Sequence, residues 1–329
     1  MGRDFSINND RGNRASSTTL VLFVSRCFRN ISHIIFGKHI AIFTFGVNAW
    51  IDDDDFRTLK HKNNKARIFC GDSLSLKRKW YILFVVDKLF IYQASGMSVL
   101  DFVKKWRPDL DVVVFYWNPL NQTGNAFMDL HEKLRHYNIR EASFESTDCR
   151  KYGMEELDMF FSLKKINNAL ASIKKPKHDV SLIAVAKTRL KELIEIQQVL
   201  EKRGLKVNSY ITNTCDLSDD EYDYKPHLPP DEYLPMELDA EVICEVVEKG
   251  QHSPTIRAII ALLSKKKLIT NNKNIKEKDY YNPENIFILG IDSESKLKEF
   301  VGSPYKNVLP HSVTQKYTPQ GFLERLGEL

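Results

Sequence analysis

Short apolar blocks and longer amphipathic blocks alternate along the second half of the chain. Residues 179–185 (DVSLIAV) and 205–211 are brief, apolar and rich in β-formers, which predicts two buried strands. Between them, residues 188–203 repeat apolar positions at helical spacing, and Gly204 follows as a C-cap. This order predicts one βαβ unit with a right-handed crossover.

The same alternation continues towards the C-terminus. The pattern predicts strands over 241–247, 267–270 and 285–289, and a helix over 255–264. Residues 215–235 are acidic and rich in proline without periodicity, which predicts a loop. Strands that alternate with helices favour a doubly wound, Rossmann-like domain.

The first half carries a weaker version of this pattern. Strands are predicted over 40–45 and 111–116, and a helix over 98–106. Residues 81–92 (YILFVVDKLFIY) are predicted to form either one long strand or two elements. The strand 111–116 ends at a Trp-Asn-Pro turn, residues 117–119, at the strand end where ligands bind in open α/β sheets.

Length and composition together suggest two domains. The chain has 329 residues, against a prior of roughly 150 per domain. A stretch with Asn, Lys and Pro at 166–178 is the predicted linker. The resulting division is a disordered tail 1–18, an N-terminal α/β domain 19–165, a C-terminal α/β domain 179–310 and a C-terminal helix 311–329.

An apolar run at 19–46 raises the question of membrane contact. Arg26, Arg29 and Lys38 interrupt it, so it lacks the roughly 18 apolar residues of a membrane-spanning helix. No small-residue cleavage site follows a short apolar core, which disfavours a signal peptide. Two interpretations stay open: a buried strand–helix–strand segment, or a basic apolar surface that rests on a membrane.

Charge and cysteine content narrow the partners. The net charge of +5, from 48 basic and 43 acidic residues, suits a sugar nucleotide or an acidic lipid headgroup and is too small to indicate nucleic acid. Five scattered cysteines without a CxxC pair fit a reducing compartment and disfavour a zinc site. The aspartates 52–55 are predicted to be a solvated loop rather than a metal site.

Candidate chemistry begins at residues 250–257, because the chain has no GxGxxG, Walker A, GxSxG or HExxH motif. Ser253 is a candidate N-cap and Pro254 lies near the predicted helix start, so free N–H groups there would attract an anion. Thr255 adds a hydroxyl, and Arg257 adds a charged fork off the apolar face. The alternative is that Arg257 is an ordinary surface arginine.

Two further polar clusters follow predicted strands. Lys187 and Arg189 lie at a βα turn, where cations can hold a diphosphate leaving group. Thr270, Asn271 and Asn272 end a short strand and could bond to sugar hydroxyls. The alternatives are routine helix-start polarity and a plain turn.

At these residues the sequence resembles a bacterial family of lipopolysaccharide-core and capsular polysaccharide assembly, for which rhamnosyl transfer is one proposed activity. The likeness covers roughly residues 80–318. It rests on 251–275 (QHSPTIRAIIALLSKKKLITNNKNI), 279–289 (DYYNPENIFIL), the turn 115–119, the segment 143–152 (SFESTDCRKY) and the pair Lys187 and Arg189.

The resemblance implies a glycosyltransferase of type B fold, with two Rossmann-like domains facing a cleft and the donor held by the C-terminal domain. It implies a nucleotide-diphosphate sugar as donor, no metal and no other cofactor. The acceptor would be the lipopolysaccharide core or a related glycolipid, and the protein would be cytoplasmic, with peripheral contact at the inner membrane. Nucleic acid is not an expected partner.

Site residues carry over as expectations. The acceptor side would include Trp117 and Asn118, and a base for the acceptor proton would come from Asp148 or Glu145, although a solvated loop carboxylate is the alternative for both. The expected donor-binding residues are Lys187, Arg189, Gln251, Ser253, Thr255, Arg257, Thr270, Asn271 and Asn272.

The chain departs from the family pattern at three positions. Ile260 stands where the family has a glutamate, and Ser253 and Thr188 stand where it has glycines. Two hypotheses therefore follow: an active glycosyltransferase, or a catalytically impaired protein that binds sugar nucleotides in the same pathway.

Overall fold

The structure is a computed structural model that describes residues 39–44, 60–61, 64–65, 67–71, 80–92, 97–120, 125–213 and 222–328. Its contacts divide the chain into two units, with the boundary between Ala142 and Ser143. The predicted tail 1–18, most of the apolar run 19–46 and the aspartates 52–55 lie outside the described residues.

The first unit is built on a largely parallel sheet. Its strands follow the order β4-β1-β5-β6-β7, and the pairs β4–β1, β1–β5 and β5–β6 are parallel. The elements are β1 (His39–Thr44), β2 (Lys60–His61), β3 (Asn64–Lys65), β4 (Arg67–Gly71), a 3-10 turn (Trp80–Phe84), β5 (Lys88–Tyr92), α1 (Met97–Trp106), β6 (Asp111–Tyr116), α2 (Asn125–His136) and β7 (Arg140–Ser143).

The second unit holds a five-stranded parallel sheet in the order β10-β9-β11-β12-β13. Its first elements are α3 (Ser146–Tyr152), β8 (Glu155–Glu156), α4 (Leu163–Ala171), β9 (His178–Val185), α5 (Leu190–Lys202) and β10 (Val207–Thr212). They are followed by α6 (Pro230–Leu238), β11 (Ala240–Glu245), α7 (Ile256–Ser264), β12 (Lys267–Thr270), a 3-10 turn (Lys273–Glu277) and β13 (Ile286–Ile288). A 3-10 turn (Glu294–Lys296), α8 (Leu297–Gly302), α9 (His311–Gln315) and α10 (Pro319–Glu328) complete the unit.

The order of the second sheet creates a topological switch point. From β9 the chain passes to β10 on one side, and β11 later pairs on the other side of β9. In open parallel sheets, ligands bind outside the carboxyl ends of the strands where the order reverses. A buried core that includes Leu182, Leu193 and Val242 holds the strands and α5 rigidly beneath that edge.

The predicted α/β fold with two Rossmann-like parts is confirmed, and the central elements lie close to their predicted places. Residues 81–92 form two elements, a 3-10 turn and β5. The prediction of a loop over 215–235 is wrong at its end, because α6 begins at Pro230. Proline is tolerated there, since the N–H groups of the first helical turn have no partner within the helix. Residues 214–221 lie outside the described residues.

The predicted linker and C-terminal helix also differ from the structure. Residues 163–171 form α4, which is capped by Ser162 and buries Ile166 and Ala169, so the division between the units comes earlier in the chain. The C-terminal segment forms two helices, since Pro319 starts α10 after a break that follows α9. No helix within the described ranges is long and apolar enough to span a bilayer.

The C-terminal segment of the second unit is held by a pair of stacked rings. Phe322 of α10 and Phe160 are both buried, and their ring centroids lie 4.1 Å apart. We expect Phe322→Ala to lower the free energy of unfolding by about 3 kcal/mol or more, since it leaves a cavity in a packed contact. Denaturant unfolding followed by circular dichroism measures this.

The matched control is Val308→Ala, at a side chain that is 63% exposed. It should change the same free energy by no more than about 0.5 kcal/mol. Equal stability of the Phe322 variant and the wild type would show that α10 is not held by this contact.

Candidate functional site

Three turns of the second unit meet at the carboxyl edge of its sheet. Residues 186–189 follow β9, residues 246–255 follow β11, and residues 271–272 follow β12. Parallel strands point their carboxyl ends to one edge, so these turns lie side by side. All nine predicted donor-binding residues fall on these turns or on the strand and helix ends that border them.

Glu245 lies at the centre of this edge and sequence reasoning missed it. The side chain ends β11, is fully buried, and accepts hydrogen bonds from Thr255 N at 2.6 Å, Thr255 Oγ1 at 2.7 Å and Thr270 Oγ1 at 2.7 Å. Burial raises the pKa of Glu245, and the hydrogen bonds from Thr270 and Thr255 partly oppose that shift. The protein therefore places its own carboxylate at the start of α7.

The start of α7 differs from the prediction in its cap. Thr255 is the N-cap, and its Oγ1 accepts from Arg257 N at 3.2 Å, whereas Ser253 was the predicted cap. Ser253 is buried, and its Oγ accepts a hydrogen bond from Ser146 N at 3.1 Å. The predicted anion position is thus occupied by Glu245, which Thr255 binds through both its backbone and its hydroxyl.

Glu145 secures the turn that leads into α7. The buried carboxylate caps α3 and accepts hydrogen bonds from Thr147, from His252 N at 3.1 Å and from Ser253 N at 3.0 Å. We expected a base on the acceptor side, but Glu145 and Asp148 both belong to the second unit. Asp148 is buried within α3. The contacts of Glu145 are those of a side chain that holds a helix start and a loop.

Arg189 also points inward. The buried guanidinium donates to the carbonyls of Val246 and Val185, the latter at 3.2 Å. Burial lowers the pKa of Arg189 to about 10, so the side chain is charged at neutral pH. Arg189 therefore ties the ends of β9 and β11 together across the switch point, and its two named bonds go to backbone rather than to open solvent.

Arg257 forms an ion pair with a residue that the sequence prediction placed just after a loop. Its Nε lies 3.3 Å from Oε1 of Glu237, which is fully buried on α6, while the Arg257 side chain is 16% exposed. Burial raises the pKa of Glu237, and the Arg257 guanidinium opposes that shift. Arg257 is thus paired and mostly buried, with a small part of its side chain exposed to solvent.

The amide side chains brace the turns. The backbone N–H of Val247 donates to Asn271 Oδ1 at 2.7 Å. Asn271 Nδ2 donates to the carbonyl of Val247 at 3.1 Å and to the carboxylate of Glu192 at 2.8 Å. Asn272 donates to the carbonyl of His252 at 2.9 Å. Gln251 is buried and donates to the carbonyl of Ser253 at 2.9 Å.

The charges of this cluster nearly cancel. The four buried glutamates carry a formal charge of −4, and the three basic side chains carry +3. These residues are Glu145, Glu237, Glu245 and Glu248, with Lys187, Arg189 and Arg257. An incoming anion must therefore compete with internal carboxylates.

Part of the edge faces solvent. Thr188, Lys249, Gly250 and His252 are exposed, and Gly250 has a φ of 86°, which favours glycine. A groove of about 520 Å³ lies beside the β9–α5 turn. It is lined by Lys187, Thr188, Leu190, Lys191, Ile194, Glu195, Gln198 and Tyr224.

In the first unit, the predicted turn after β6 is present. Trp117 and Asn118 are half-buried directly after the strand. The preceding Tyr116 donates to Glu141 at 2.6 Å, and the other oxygen of Glu141 contacts His131 Nδ1 at 2.8 Å, all three side chains being buried. Burial raises the pKa of Glu141. This network fixes the strand end that carries the two predicted residues.

Within the described ranges, no three His, Cys, Asp or Glu side chains are grouped as metal ligands. The glutamates that sequence reasoning missed had a visible signature in two cases. Glu245 and Glu248 each follow a short apolar run, and Glu245 is the last residue of β11. Glu237 gave no such signature, because its helix follows a stretch rich in proline.

No protein-family model matches the chain, and no curated protein sequence matches it. Among solved structures it is similar to AviGT4, a glycosyltransferase involved in avilamycin A biosynthesis, with a TM-score of 0.55 and 11% identity over 88% of this chain and 96% of that one. An α-glucosyltransferase in complex with UDP and DNA gives 0.49 and 10% identity over 87% and 92%. The wall teichoic acid polymerase TagF gives 0.38 and 10% identity over 99% and 93%.

The likeness to AviGT4 shows the fold. The chain has the type B glycosyltransferase fold. At 11% identity the likeness extends to the fold alone, and the two lower scores add no argument.

We expect Glu145→Ala to destabilise the second unit by about 3 kcal/mol. The change leaves buried N–H groups of His252 and Ser253 without their acceptor, and each such loss costs about 1–3 kcal/mol. Thermal and urea unfolding of the full chain measure the loss. Glu201→Gln, at an exposed glutamate of α5, is the control and should be neutral. A Glu145 variant as stable as this control would contradict the role assigned to the carboxylate.

Proposed function

We propose that the chain is a glycosyltransferase that binds a nucleotide-diphosphate sugar at the carboxyl edge of its second sheet. The observation that carries the proposal is the switch point between β9 and β11 in a chain of type B fold. Such an edge is where open α/β sheets bind ligands. Its exposed residues are polar or basic and include Lys249 and His252.

In this proposal the donor diphosphate contacts Arg257 and Lys187. Arg257 is anchored through Nε by Glu237 and keeps part of its side chain exposed, so its position is fixed before the donor arrives. Lys187 is 31% exposed and lies at the β9–α5 turn. Fixed cations stabilise the charge that develops on a diphosphate leaving group in the transition state, and they do so without reorganising.

The remaining predicted residues support the site indirectly. Arg189 and Asn272 hold the turns through backbone carbonyls, and Glu145 holds the segment 252–253 through its N–H groups. We propose that these residues preorganise the loop over which the donor lies. No metal or other cofactor is required in this scheme.

The finer assignment rests on the sequence resemblance. Residues 251–275 and 279–289 resemble enzymes of lipopolysaccharide-core and capsule assembly, so we propose the lipopolysaccharide core or a related surface glycan as acceptor and rhamnose as one candidate donor sugar. A glycolipid acceptor would bring the protein to the inner face of the cytoplasmic membrane, where the basic apolar segment 19–46 would make peripheral contact.

A second candidate function is binding without turnover. Ile260 stands where the resembling family has a glutamate, and it is fully buried in α7. In the family that region supplies a carboxylate to grip the donor, and no side chain at 260 takes that part here. A catalytically impaired sugar-nucleotide-binding protein of the same pathway fits this observation.

Donor binding can be tested with a panel of UDP-, GDP-, CMP- and dTDP-sugars by thermal shift and calorimetry. One nucleotide class should stabilise the wild type. Arg257→Lys keeps the charge opposite Glu237 but loses the fork, so affinity should fall roughly tenfold or more. Arg203→Lys, at an exposed arginine that pairs with Glu294, is the control and should bind as the wild type does. Failure of every nucleotide sugar to bind would reject the proposed function.

Turnover separates the two candidate functions. With the donor identified in this way and a truncated core lipid as acceptor, a glycosyltransferase should release the nucleotide diphosphate and extend the lipid by one sugar, both seen by mass spectrometry. If the donor binds but no nucleotide diphosphate is released and no tested acceptor is extended, the result would favour the catalytically impaired protein.

A further inference from the structure

Glu248 bridges the two turns that flank the switch point. Its side chain is 4% exposed and lies three residues beyond the end of β11. One oxygen lies 3.2 Å from Lys187 Nζ, and the other accepts a hydrogen bond from Thr188 Oγ1 at 3.0 Å. Both partners belong to the β9–α5 turn, so a single buried carboxylate engages its ammonium and its hydroxyl together.

The geometry of the turn suits an anion. Lys187 has a φ of 45°, a left-handed conformation that few residues other than glycine adopt, and the contacts to Glu248 help to fix it. Lys187 and Thr188 retain exposure on the side of the 520 Å³ groove that they line. An ammonium and a hydroxyl that converge on two oxygens of one group would hold a phosphate oxygen pair in the same way.

Two other polar side chains at this edge are already hydrogen-bonded within the protein. Arg189 is directed to the carbonyls of Val246 and Val185, and Asn271 is bonded to Val247 and Glu192. A phosphate that approaches Lys187 would therefore meet Glu248 on the same donors. Two like charges that close to each other repel strongly when one is buried.

We propose that Glu248 occupies, as an internal ligand, an anion site formed by Lys187 and Thr188, and that a diphosphate must displace it to bind. The inference deepens the proposed function and rests on it, because the diphosphate is that of the sugar-nucleotide donor. Glu248 then sets the selectivity of the edge. Weakly charged anions fail to displace it, whereas a diphosphate gains enough from Lys187 and from Arg257, in the first turn of α7, to do so.

The sign of one change in affinity tests this directly. Calorimetric titration of the full chain with inorganic pyrophosphate should give a dissociation constant roughly tenfold or more lower for Glu248→Gln than for the wild type, because the competing charge is gone. Glu195→Gln removes the same charge from an exposed side chain that lines the same groove and should bind as the wild type does. If Glu248 merely braces the turn, Glu248→Gln binds pyrophosphate no better or more weakly, and the proposal is overturned.

A second variant keeps the test decisive if Glu248→Gln does not fold. Glu248→Asp retains the charge but withdraws it by one methylene, so a smaller gain in pyrophosphate affinity is expected, with folding checked by circular dichroism. No gain in this variant would count against the proposal. Adding Lys187→Ala to either variant should abolish the gain, and persistence of the gain would place the anion elsewhere.

These experiments distinguish failure of the anion-site inference from failure of the proposed function. A gain for pyrophosphate, together with no nucleotide sugar bound by the wild type or the variant, would leave the anion site standing and reject the glycosyltransferase. Nucleotide-sugar binding with pyrophosphate affinity unchanged by Glu248→Gln would leave the proposed function standing and overturn the role of Glu248.

Discussion

The carboxyl edge of the second sheet depends on how the buried carboxylate of Glu245 is satisfied. A buried carboxylate without partners costs several kcal/mol, so its neighbours have to supply donors. The register of β11 against β12 places Thr270 directly beside Glu245, and the hydroxyl of Thr270 supplies one of them. The N–H and hydroxyl of Thr255 supply the others, which fixes where α7 begins. One buried side chain thus joins the end of β12 to the start of α7.

The same principle recurs around the edge and shapes its function. Glu145 satisfies the loop before α7, Glu237 holds Arg257, and Glu248 holds the β9–α5 turn. Each pairing makes the local geometry rigid, which favours a site that stabilises charge without rearranging. Each pairing also occupies a donor or a cation that an external anion would use. The edge is therefore preorganised, and in the proposed exchange a diphosphate takes the place of Glu248 on Lys187 and Thr188 while Glu237 keeps its contact with Arg257.

The regular elements could be predicted because their apolar periodicity is local. The bounds of β12 match the prediction, and α1 differs by one residue. The helix α6 could not be predicted, because acidic and proline-rich sequence hides its buried Tyr233 and Leu234. Residue types at the site were also predictable from a strand end and a helix start, as Thr270 and Thr255 show. Their partners were not, since Glu237 lies twenty positions before Arg257 and Glu145 more than a hundred before His252, and such pairs depend on the packing of the whole unit.

Hydrogen–deuterium exchange with and without a saturating nucleotide sugar shows whether the donor binds at this edge. Binding there should slow exchange in peptides that cover residues 186–190 and 247–257, because the ligand would tighten both turns of the switch point. Exchange elsewhere in the second unit, such as over α10, should stay the same. Protection confined to other peptides, with these two segments unchanged while the ligand is bound, would show that the donor binds elsewhere.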